Sequence, residues 1–443
     1  MTNSFVSNLE PLNYPPVGSR RAKAAVMAIA IWGLTIGLHL VSWGIWATIC
    51  LTVLFGSHTF RLLFAKAKTA PLPMESGLAD SVYPYVSLVV SAKNEEAVIG
   101  DLVKGLDQID YPNTRYELWV VDDNSSDRTY EILQALKPDY PQLKVYRRSE
   151  SSQGGKSGAL NDVLPLTKGE ILGVFDADAI IAPTLLRSVV PFFKEEKLGA
   201  VQVRKSITNG NTNFLTQGQQ AEMTLDAFIQ QQRVATGGLG ELRGNGQFVR
   251  KKALEHCGGW NELTITDDLD LTFRLQLSGW DIDLLSSPPV QEEGVTRIKA
   301  LWHQRNRWAE GGYQRYLDYW PLLANNQLGA NKTFDMVMFY LTQYALPTAA
   351  IPDLLMAIAK HRLPLLMPMT SFTVVLSFVG TWVGLRQVYR REGQNFSPFS
   401  LLMQAIQSTL YMFHWFPVVA SVTARVSVRP KRLKWVKTQR VGG

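Results

Sequence analysis

The chain has 443 residues, of which 46% are hydrophobic and 19% are charged, and its formal net charge is +7. The apolar residues are concentrated: residues 24–57 contain no Asp, Glu, Lys or Arg, and three more long apolar stretches follow Phe334. Such stretches exclude an ordinary soluble enzyme, and we predict a membrane protein whose central part, residues 83–325, faces water. The two cysteines, Cys50 and Cys257, exclude a disulfide framework and indicate a reducing compartment.

The first apolar stretch is longer than the roughly 20 residues that one membrane span needs. Positive residues flank it on both sides, at residues 20–23 and 61–68, which favours an even number of crossings with both ends in the cytoplasm. We therefore predict a cytoplasmic tail over residues 1–23, a transmembrane hairpin over residues 24–60 and a cytoplasmic central domain.

Four apolar runs in the central domain are typical of buried parallel strands. They read YVSLVVSA, YELWVV, LKVYR and ILGVF, and helix-like stretches separate them. Because parallel sheets are covered by helices on both faces, we predict an α/β domain with a mostly parallel sheet over residues 83–290. No Gly-x-Gly-x-x-Gly follows the first strand and no loop has P-loop spacing, so those two kinds of nucleotide site are not favoured.

Polar residues follow three of the predicted strands, at Asn94–Glu95, Asp122–Asp123 and Asp176–Asp178. The carboxyl ends of parallel strands meet at one edge of a sheet, where open α/β sheets bind their ligands. Residues i and i+2 of a strand point to the same side, so Asp176 and Asp178 would project together, and a divalent cation would relieve their repulsion. The alternative for this short pattern is a strand-to-turn junction with two solvated acids.

The second half of the central domain places acids before one helix and ends in a basic, aromatic helix. Asp267 and Asp268 precede an apolar-faced helix, whose positive N-terminus favours carboxylates whether they are caps or functional groups. In the segment over residues 295–325, Gln304, Arg307 and Trp308 share one helix face. We predict that this segment is amphipathic and lies at the membrane interface.

The C-terminal apolar segments, residues 334–424, are predicted to cross the membrane, with spans near Phe334–Ala359, Pro364–Leu385 and Pro398–Val422. Three crossings would leave the basic tail, residues 425–443, outside the cytoplasm, against the positive-inside tendency. One stretch is therefore expected to be re-entrant, interfacial or double. Basic clusters beside membrane segments indicate contact with anionic lipids, so we predict a lipid bilayer as partner and no nucleic acid. The sequence indicates no protein partner.

Six motifs occur in the order and spacing of a known family: VVSAKNE, VVDDNSSD, GGKSGALN, FDAD, TDD and QRNRW. Over about residues 83–319 the chain resembles the membrane-bound family 2 glycosyltransferases, which include cellulose and hyaluronan synthases and lipid glucosyltransferases. The resemblance implies a GT-A type nucleotide-sugar-binding domain flanked by transmembrane helices. The arginine pair in QRNRW and the spacing from VVDDN to FDAD make the chain most similar to the cyanobacterial members that glucosylate diacylglycerol.

The resemblance also implies roles on the donor side of the site. Asp122 or Asp123 would contact the uridine, and Lys156 would lie near the nucleotide. Asp176 and Asp178 would hold Mg²⁺ or Mn²⁺ against the diphosphate of the donor.

On the acceptor side, Asp268 matches the last acid of the family's Thr-Glu-Asp motif and would be the general base. Asp267 stands where the family usually has Glu, so the resemblance leaves open which of the two acids is the base. Gln304, Arg307 and Trp308 match Gln-x-x-Arg-Trp and would close over the nucleotide.

The implied reaction is the inverting, metal-dependent transfer of glucose from UDP-glucose to the 3-hydroxyl of 1,2-diacylglycerol, giving a β-glucosyl lipid in a bacterial plasma or thylakoid membrane. Arg305 lies off the face shared by Gln304 and Arg307 and is expected to reach a lipid headgroup or a second phosphate.

The alternative to this reaction is a processive β-polysaccharide synthase of the cellulose, hyaluronan or poly-N-acetylglucosamine type. That alternative needs a polar channel, whereas the C-terminal segments contain few ionisable residues. A degenerate, non-enzymatic scaffold would have lost the acids at the strand ends, and all are present.

Overall fold

A computed structural model of the chain describes Tyr14 and residues 18–429. The rest of the predicted N-terminal tail and the basic tail beyond residue 429 lie outside the described residues. The strands are β1 (Val86–Ala92), β2 (Tyr116–Asp122), β3 (Leu143–Arg147), β4 (Ile171–Phe175), β5 (Ile180–Ile181), β6 (Leu198–Ile207), β7 (Gln247–Arg250) and β8 (Asp281–Glu292). In the described part they form one sheet with the order β3-β2-β1-β4-β7-β6-β8-β5.

Helices cover this sheet and continue into the apolar segments at both ends of the chain. They are α1 (Arg20–Leu40), α2 (Gly44–Leu63), α3 (Ile99–Asp107), α4 (Thr129–Leu136), α5 (Gly155–Val163), α6 (Leu185–Val189), α7 (Phe214–Ala235), α8 (Lys251–His256), α9 (Asp267–Leu277), α10 (Ile298–Ala324), α11 (Ala330–Tyr340), α12 (Leu346–Ala359), α13 (Met367–Arg391), α14 (Pro398–Met412) and α15 (Trp415–Val428).

The predicted α/β fold with a mostly parallel sheet is confirmed. The four strands expected from the apolar runs pair in parallel as β3-β2-β1-β4, and β6 pairs in parallel with β8. β7 and β5 are antiparallel to their neighbours, so the second half of the sheet is mixed. One apolar core packs α3 and α4 on the sheet, and a second packs α5, α8 and α9 on the other face. Burial on both faces explains why β4 has no polar side chain and why β1 has only two, Ser87 and Ser91.

Loops bring the polar residues that follow β1, β2 and β4 to one edge of the sheet. The amide of Asp123 donates to the carbonyl of Ala92 at 2.8 Å, which ties the loop after β2 to the end of β1. Asn94 adopts a φ of 55°, a left-handed conformation that turns its loop away from the strand direction. The amide of Gly246 donates to the carbonyl of Val174 at 3.0 Å, so the glycine-rich segment before β7 borders the same edge.

Three helices of the described part, α1, α2 and α13, are long and apolar enough to cross a membrane. A short break at residues 41–43 separates α1 from α2. A π-helical turn (Leu341–Ala345, here called the π turn) joins α11 to α12, and Phe413–His414 separates α14 from α15 inside the last predicted span. Buried polar pairs also hold these helices together, such as His39 with Asp353 at 2.7 Å. The number of crossings stays a prediction.

A buried ionic network joins these helices to the sheet domain. Glu241, in the glycine-rich segment before β7, is 3.0 Å from Arg233 of α7, 2.5 Å from Arg243 and 3.2 Å from Arg315 of α10. Arg233 also pairs with Asp335 of α11 at 2.8 Å. Burial alone would raise the pKa of the Glu241 carboxyl, but the three arginines lower it well below its usual value. The network therefore holds α7 and α10 around the Glu241 carboxylate, and Arg233 joins them to α11 through Asp335.

Glu241→Ala tests this network. The change removes the carboxylate that Arg233, Arg243 and Arg315 share, so that Arg233 keeps only Asp335 and Arg243 keeps only Asp226. We expect the free energy of unfolding to fall by about 3–5 kcal/mol, because buried ion pairs are broken. The control is Glu131→Ala, which removes an exposed ion pair with Arg128 and should leave the melting temperature almost unchanged. Thermal unfolding of the purified protein in detergent measures both variants, and equal melting temperatures would contradict the network.

Candidate active site

A cavity of 2530 Å³ opens at the carboxyl edge of the sheet and extends to helices α2, α7, α13, α14 and α15. Its volume exceeds the roughly 300–1,000 Å³ of ordinary small-molecule pockets, so it has room for more than one substrate. The structure brings residues from separate motifs together here, but it leaves Asp122 and Arg305 outside. The predicted site residues that line the cavity are Asp123, Lys156, Asp176, Asp178, Asp267, Asp268, Gln304, Arg307 and Trp308.

Asp176 and Asp178 lie in a turn directly after β4 rather than within the strand. β4 ends at Phe175, and the amide of Ala179 donates to the carbonyl of Asp176 at 3.0 Å. The amide of Asp176 donates to Oδ1 of Asn245 at 3.2 Å. The argument from strand alternation is therefore wrong, because the chain has already left the sheet. The turn itself brings both carboxylates to the wall of the cavity.

Lys156 neutralises part of this acidic cluster. It lies in the first turn of α5, and its Nζ atom is 2.6 Å from Oδ1 of Asp176. Burial alone would lower the pKa of the Lys156 ammonium, but the carboxylates of Asp176, Asp267 and Asp268 raise it above its usual value. Lys156 is therefore charged, and it interacts both with the acids that follow β4 and with the acids that begin α9.

Asp267 and Asp268 are the first two residues of α9. Burial and the neighbouring Asp267 raise the pKa of the Asp268 carboxyl to about 6, although Lys156 and Arg243 oppose the rise. The Oδ2 atom of Asp267 is buried and has no hydrogen-bond partner in the described part of the chain. A carboxyl group with a pKa near neutrality is suited to general-base chemistry.

Close packing of α10 holds the N-terminus of α9 in place. A Cβ atom on Gly311 of α10 would lie 2.1 Å from Oγ1 of Thr266, the residue that precedes α9. A Cβ atom on Gly312 would lie 2.1 Å from the hydroxyl oxygen of Tyr344 in the π turn. Because both gaps are too short for a side chain, glycine at these positions lets α10 pass between α9 and the π turn.

The three residues predicted to share a face of α10, Gln304, Arg307 and Trp308, all line the cavity. Burial lowers the pKa of the Arg307 guanidinium, whereas the carboxylates of Asp176 and Asp268 raise it in part. An arginine remains charged in either case. Arg307 therefore adds a second fixed positive charge close to both acidic pairs.

Of the two acids at the end of β2, only Asp123 lines the cavity. Its Oδ1 atom accepts a hydrogen bond from Nη1 of Arg148 at 2.6 Å, and its Oδ2 atom is 3.7 Å from Nζ of Lys93. Asp122 is fully buried, and its Oδ1 atom accepts from the amide of Ser125 at 3.1 Å. Asp122 thus shapes the loop that follows β2, whereas Asp123 is the acid that faces the cavity.

Arg305 is buried away from the cavity, contrary to the expectation that it reaches a lipid headgroup. Its Nη2 atom is 2.5 Å from Oε2 of Glu222 on α7 and 3.1 Å from the hydroxyl of Tyr411 on α14. Its guanidinium carbon lies 4.0 Å from the ring centroid of Trp308 and 5.8 Å from that of Trp415 on α15. Because α7, α14 and α15 enclose this face of α10, it meets protein rather than lipid.

The structure adds two cavity residues that the motifs did not indicate. Arg243 pairs with Asp226 of α7 at 2.9 Å and is one of the charges that oppose the raised pKa of Asp268. Asn245 holds the turn after β4, and its Nδ2 atom donates to Oε2 of Glu292 at 3.2 Å. Both lie in the segment GGLGELRGNGQFVR, where polar residues isolated among glycines are a signal too weak to assign a role.

The carboxylates of Asp176 and Asp178 fit a divalent cation. Mg²⁺ and Mn²⁺ take oxygen ligands, and Mg²⁺ commonly uses one or two protein carboxylates together with substrate phosphates. Among the residues that the structure describes, no group of three or more His, Cys, Asp or Glu side chains could hold a metal ion. A cation at this turn would therefore complete its coordination with oxygens from a substrate or from water.

Comparisons with known proteins agree on one class of protein. Residues 84–311 match the family model described as Glycosyltransferase like family 2. Relatives from Trichormus variabilis and Nostoc sp., both named beta-monoglucosyldiacylglycerol synthase, are 58% identical over 96% of this chain and 90% of their own length. A relative of the same name from Synechocystis sp. is 55% identical over 95% of this chain and 88% of its own.

A solved structure shares the fold at lower sequence identity. It is a mannosyltransferase from Pyrobaculum calidifontis in complex with GDP-Man and Mn²⁺, with a TM-score of 0.54 and 22% identity. The match covers 86% of this chain and 98% of that chain. The likeness therefore includes helices outside the sheet domain.

Gly311→Ala tests the packing that places Asp268. The added methyl group would overlap Oγ1 of Thr266, and we expect the free energy of unfolding to fall by about 1–3 kcal/mol. The control is Gly105→Ala in α3, where nothing lies within 4 Å of the added Cβ atom. Alanine there should raise stability by about 0.5–1 kcal/mol, because glycine weakens a helix interior. If thermal unfolding shows Gly311→Ala to be as stable as Gly105→Ala, the close contact is not real.

Proposed function

Because the chain belongs to glycosyltransferase-like family 2, it is a glycosyltransferase, and we propose that it transfers glucose from UDP-glucose to the 3-hydroxyl of 1,2-diacylglycerol. The observation that carries this proposal is the cavity, which joins the charged residues at the sheet edge to apolar residues of the surrounding helices. A water-soluble donor suits the charged end, and a lipid acceptor suits the apolar end. Relatives that are 55–58% identical are named for a glucosyldiacylglycerol product, which supports the same acceptor.

Charge complementarity supports a nucleotide-diphosphate donor at the sheet edge. Breaking the bond between sugar and diphosphate builds negative charge on the leaving group, and the fixed cations Lys156 and Arg307 would stabilise that charge. Asp123 is the acid of the β2 loop that we propose to contact the uridine. Mg²⁺ or Mn²⁺ held by Asp176 and Asp178 would add Lewis-acid stabilisation of the leaving group when bound. The mannosyltransferase of similar fold was solved with Mn²⁺, which supports this assignment.

Asp268 is the proposed general base. A hydroxyl is a poor nucleophile until its proton is removed, and Asp268 would take this proton as the oxygen attacks the anomeric carbon. The new carbon–oxygen bond forms on the face opposite the diphosphate, and UDP leaves with the electron pair of the broken bond. The α-linked donor therefore gives a β-linked product. Asp267 keeps the pKa of the base high, and Gln304 and Trp308 border the space for the nucleotide.

The acceptor places the reaction at a membrane surface. α1, α2 and α13 have the length and hydropathy of membrane spans, and we propose an integral protein whose sheet domain lies on the cytoplasmic side of a cyanobacterial membrane. The basic flanks at residues 20–23 and 61–68 support this orientation. A processive polysaccharide synthase is not favoured, because relatives that match 95–96% of the chain are named for a glycolipid.

Product analysis tests the proposed function. Purified protein is incubated with radiolabelled UDP-glucose, with or without 1,2-dioleoylglycerol, and the label is partitioned between organic solvent and water. We expect a solvent-extractable monoglucosyl lipid that depends on the added diacylglycerol, and less product from UDP-galactose or UDP-N-acetylglucosamine. Label in high-molecular-weight, water-phase material that needs no diacylglycerol would instead support the polysaccharide synthase.

Asp268→Asn tests the base. We expect turnover to fall by on the order of 10²-fold or more, the usual range for loss of a general base. Binding of UDP, measured by calorimetry, should be retained because this carboxylate serves the acceptor. In the unchanged protein Asp268 must be deprotonated to act, so the rate should rise with pH through about 6 and be lost below it.

Asp267→Asn is the matched control for this prediction. The charged groups that face Asp268 are Asp267, Lys156, Arg243 and Arg307, and removing the charge of Asp267 should lower the pKa of Asp268. The acidic limb of the rate–pH profile should then move to lower pH while turnover persists. If Asp267→Asn is inactive and Asp268→Asn is nearly unaffected, the base is Asp267.

A further inference from the structure

Part of the cavity wall consists of apolar side chains from helices that carry none of the family motifs. Among them are Phe55 of α2, Ile229 of α7, Phe339 of α11, Val374 of α13 and Phe416 of α15, and the space that these five residues line is here called the inner chamber. A sugar nucleotide has no apolar group that would need such a wall. We propose that the inner chamber binds an acyl chain of the diacylglycerol acceptor during transfer, an inference that rests on the proposed function.

The inner chamber begins close to the proposed base. Asp226 and Ile229 lie three residues apart on α7 and both line the cavity, so they share a helix face and are about 4.5 Å apart along its axis. Asp226 pairs with Arg243, one of the charges that act on Asp268. An apolar side chain of the inner chamber therefore lies within one turn of Asp226, although the charged Arg233, one turn further along α7, also lines the cavity. A glycerol hydroxyl could reach the base while its acyl chain contacts the apolar residues of the chamber.

Packing between α7 and α13 explains why a chamber exists. A Cβ atom on Gly380 of α13 would lie 2.7 Å from Cδ1 of Leu225, and one on Gly384 would lie 3.2 Å from Cγ2 of Thr224, so the helices touch here. Earlier along α13, residues 373–377 instead contribute four side chains to the cavity wall. The close contact at the two glycines thus gives way to a space between the same two helices.

The other wall of the inner chamber contains the π turn. Thr342, Gln343 and Tyr344 of this turn all line the cavity. Single π turns inside helices occur frequently at functional sites, because the extra residue redirects side chains at some expense in helix regularity. Gly312 lets the hydroxyl of Tyr344 approach α10, so the π turn is held against the helix that carries Arg307. The chamber is therefore part of the same assembly as the proposed active site.

An acyl chain is the occupant that fits these features best. Apolar side chains from five helices would remove its methylene groups from water. The favourable free energy of that burial does not depend on direction, so an acyl chain needs no hydrogen-bond partners in the chamber. A diacylglycerol has both required parts, a neutral hydroxyl for Asp268 and chains for the apolar wall.

Adjacent valines on α13 provide a matched pair of variants. Val374 lines the inner chamber, whereas Val375 is 55% exposed on the outer face of the same helix and does not line the cavity. We expect Val374→Trp to raise the KM for 1,2-dioleoylglycerol by about tenfold or more, to affect 1,2-dihexanoylglycerol less, and to leave UDP binding unchanged. Val375→Trp should match the unchanged protein. Equal KM values for dioleoylglycerol in the two variants would overturn the proposal.

Photolabelling of the unchanged protein tests the chamber without relying on the folding of a variant. A diacylglycerol with a diazirine in one acyl chain should label peptides that contain residues 223–229 or 373–377, and excess dioleoylglycerol should compete. Label that avoids these peptides would overturn the chamber. A protein that makes no glucosyl lipid from dioleoylglycerol would refute the proposed function itself, whereas normal product with unlabelled chamber peptides would refute only this inference.

Discussion

The structure depends on holding four carboxylates together in one partly buried cavity. The two acidic pairs, Asp176–Asp178 and Asp267–Asp268, would repel each other if no positive charge lay between them. Lys156 of α5, Arg307 of α10 and Arg243 of the glycine-rich segment supply that charge from three separate elements. The sheet edge, α9 and α10 must therefore assemble for the charges to balance. Burial and the neighbouring Asp267 raise the pKa of Asp268 to about 6 in spite of these cations, and the carboxylates of Asp176 and Asp178 would favour a divalent cation.

Helices α7 and α10 connect this charge cluster to the membrane-side helices. On α10, Arg307 lines the cavity while Arg305, on a different face, is fixed by Glu222 of α7. On α7, Glu222 holds α10 through Arg305, and Ile229 is one of the apolar residues that line the cavity. The Glu241 network binds the same two helices to α11. Buried ion pairs therefore fix α7 and α10 relative to each other, and both helices line the cavity in which the proposed donor and acceptor would meet.

The four parallel strands β1–β4 could be predicted from the sequence, because buried parallel strands are largely apolar, and so could the convergence of the polar residues that follow three of them. The reason given for Asp176 and Asp178 was wrong, since strand alternation does not extend into the turn that actually carries them. The spacing of residues along α10 correctly places Arg305 and Arg307 on different faces of the helix. Spacing does not reveal, however, whether the face that carries Arg305 contacts lipid or protein. Arg243 lies near Asp268 because it pairs with Asp226 of α7, and no local sequence pattern indicates that contact.

The proposed donor site would accept a diphosphate together with a divalent cation held by Asp176 and Asp178. Calorimetric titration of the purified protein with UDP, in Mg²⁺ and in excess chelator, measures whether nucleotide binding depends on the cation. We predict that UDP binds at least about tenfold more tightly in Mg²⁺, a difference of ~1.4 kcal/mol, and that Asp178→Asn removes this difference. Equal affinity of the unchanged protein for UDP in Mg²⁺ and in chelator would contradict the account.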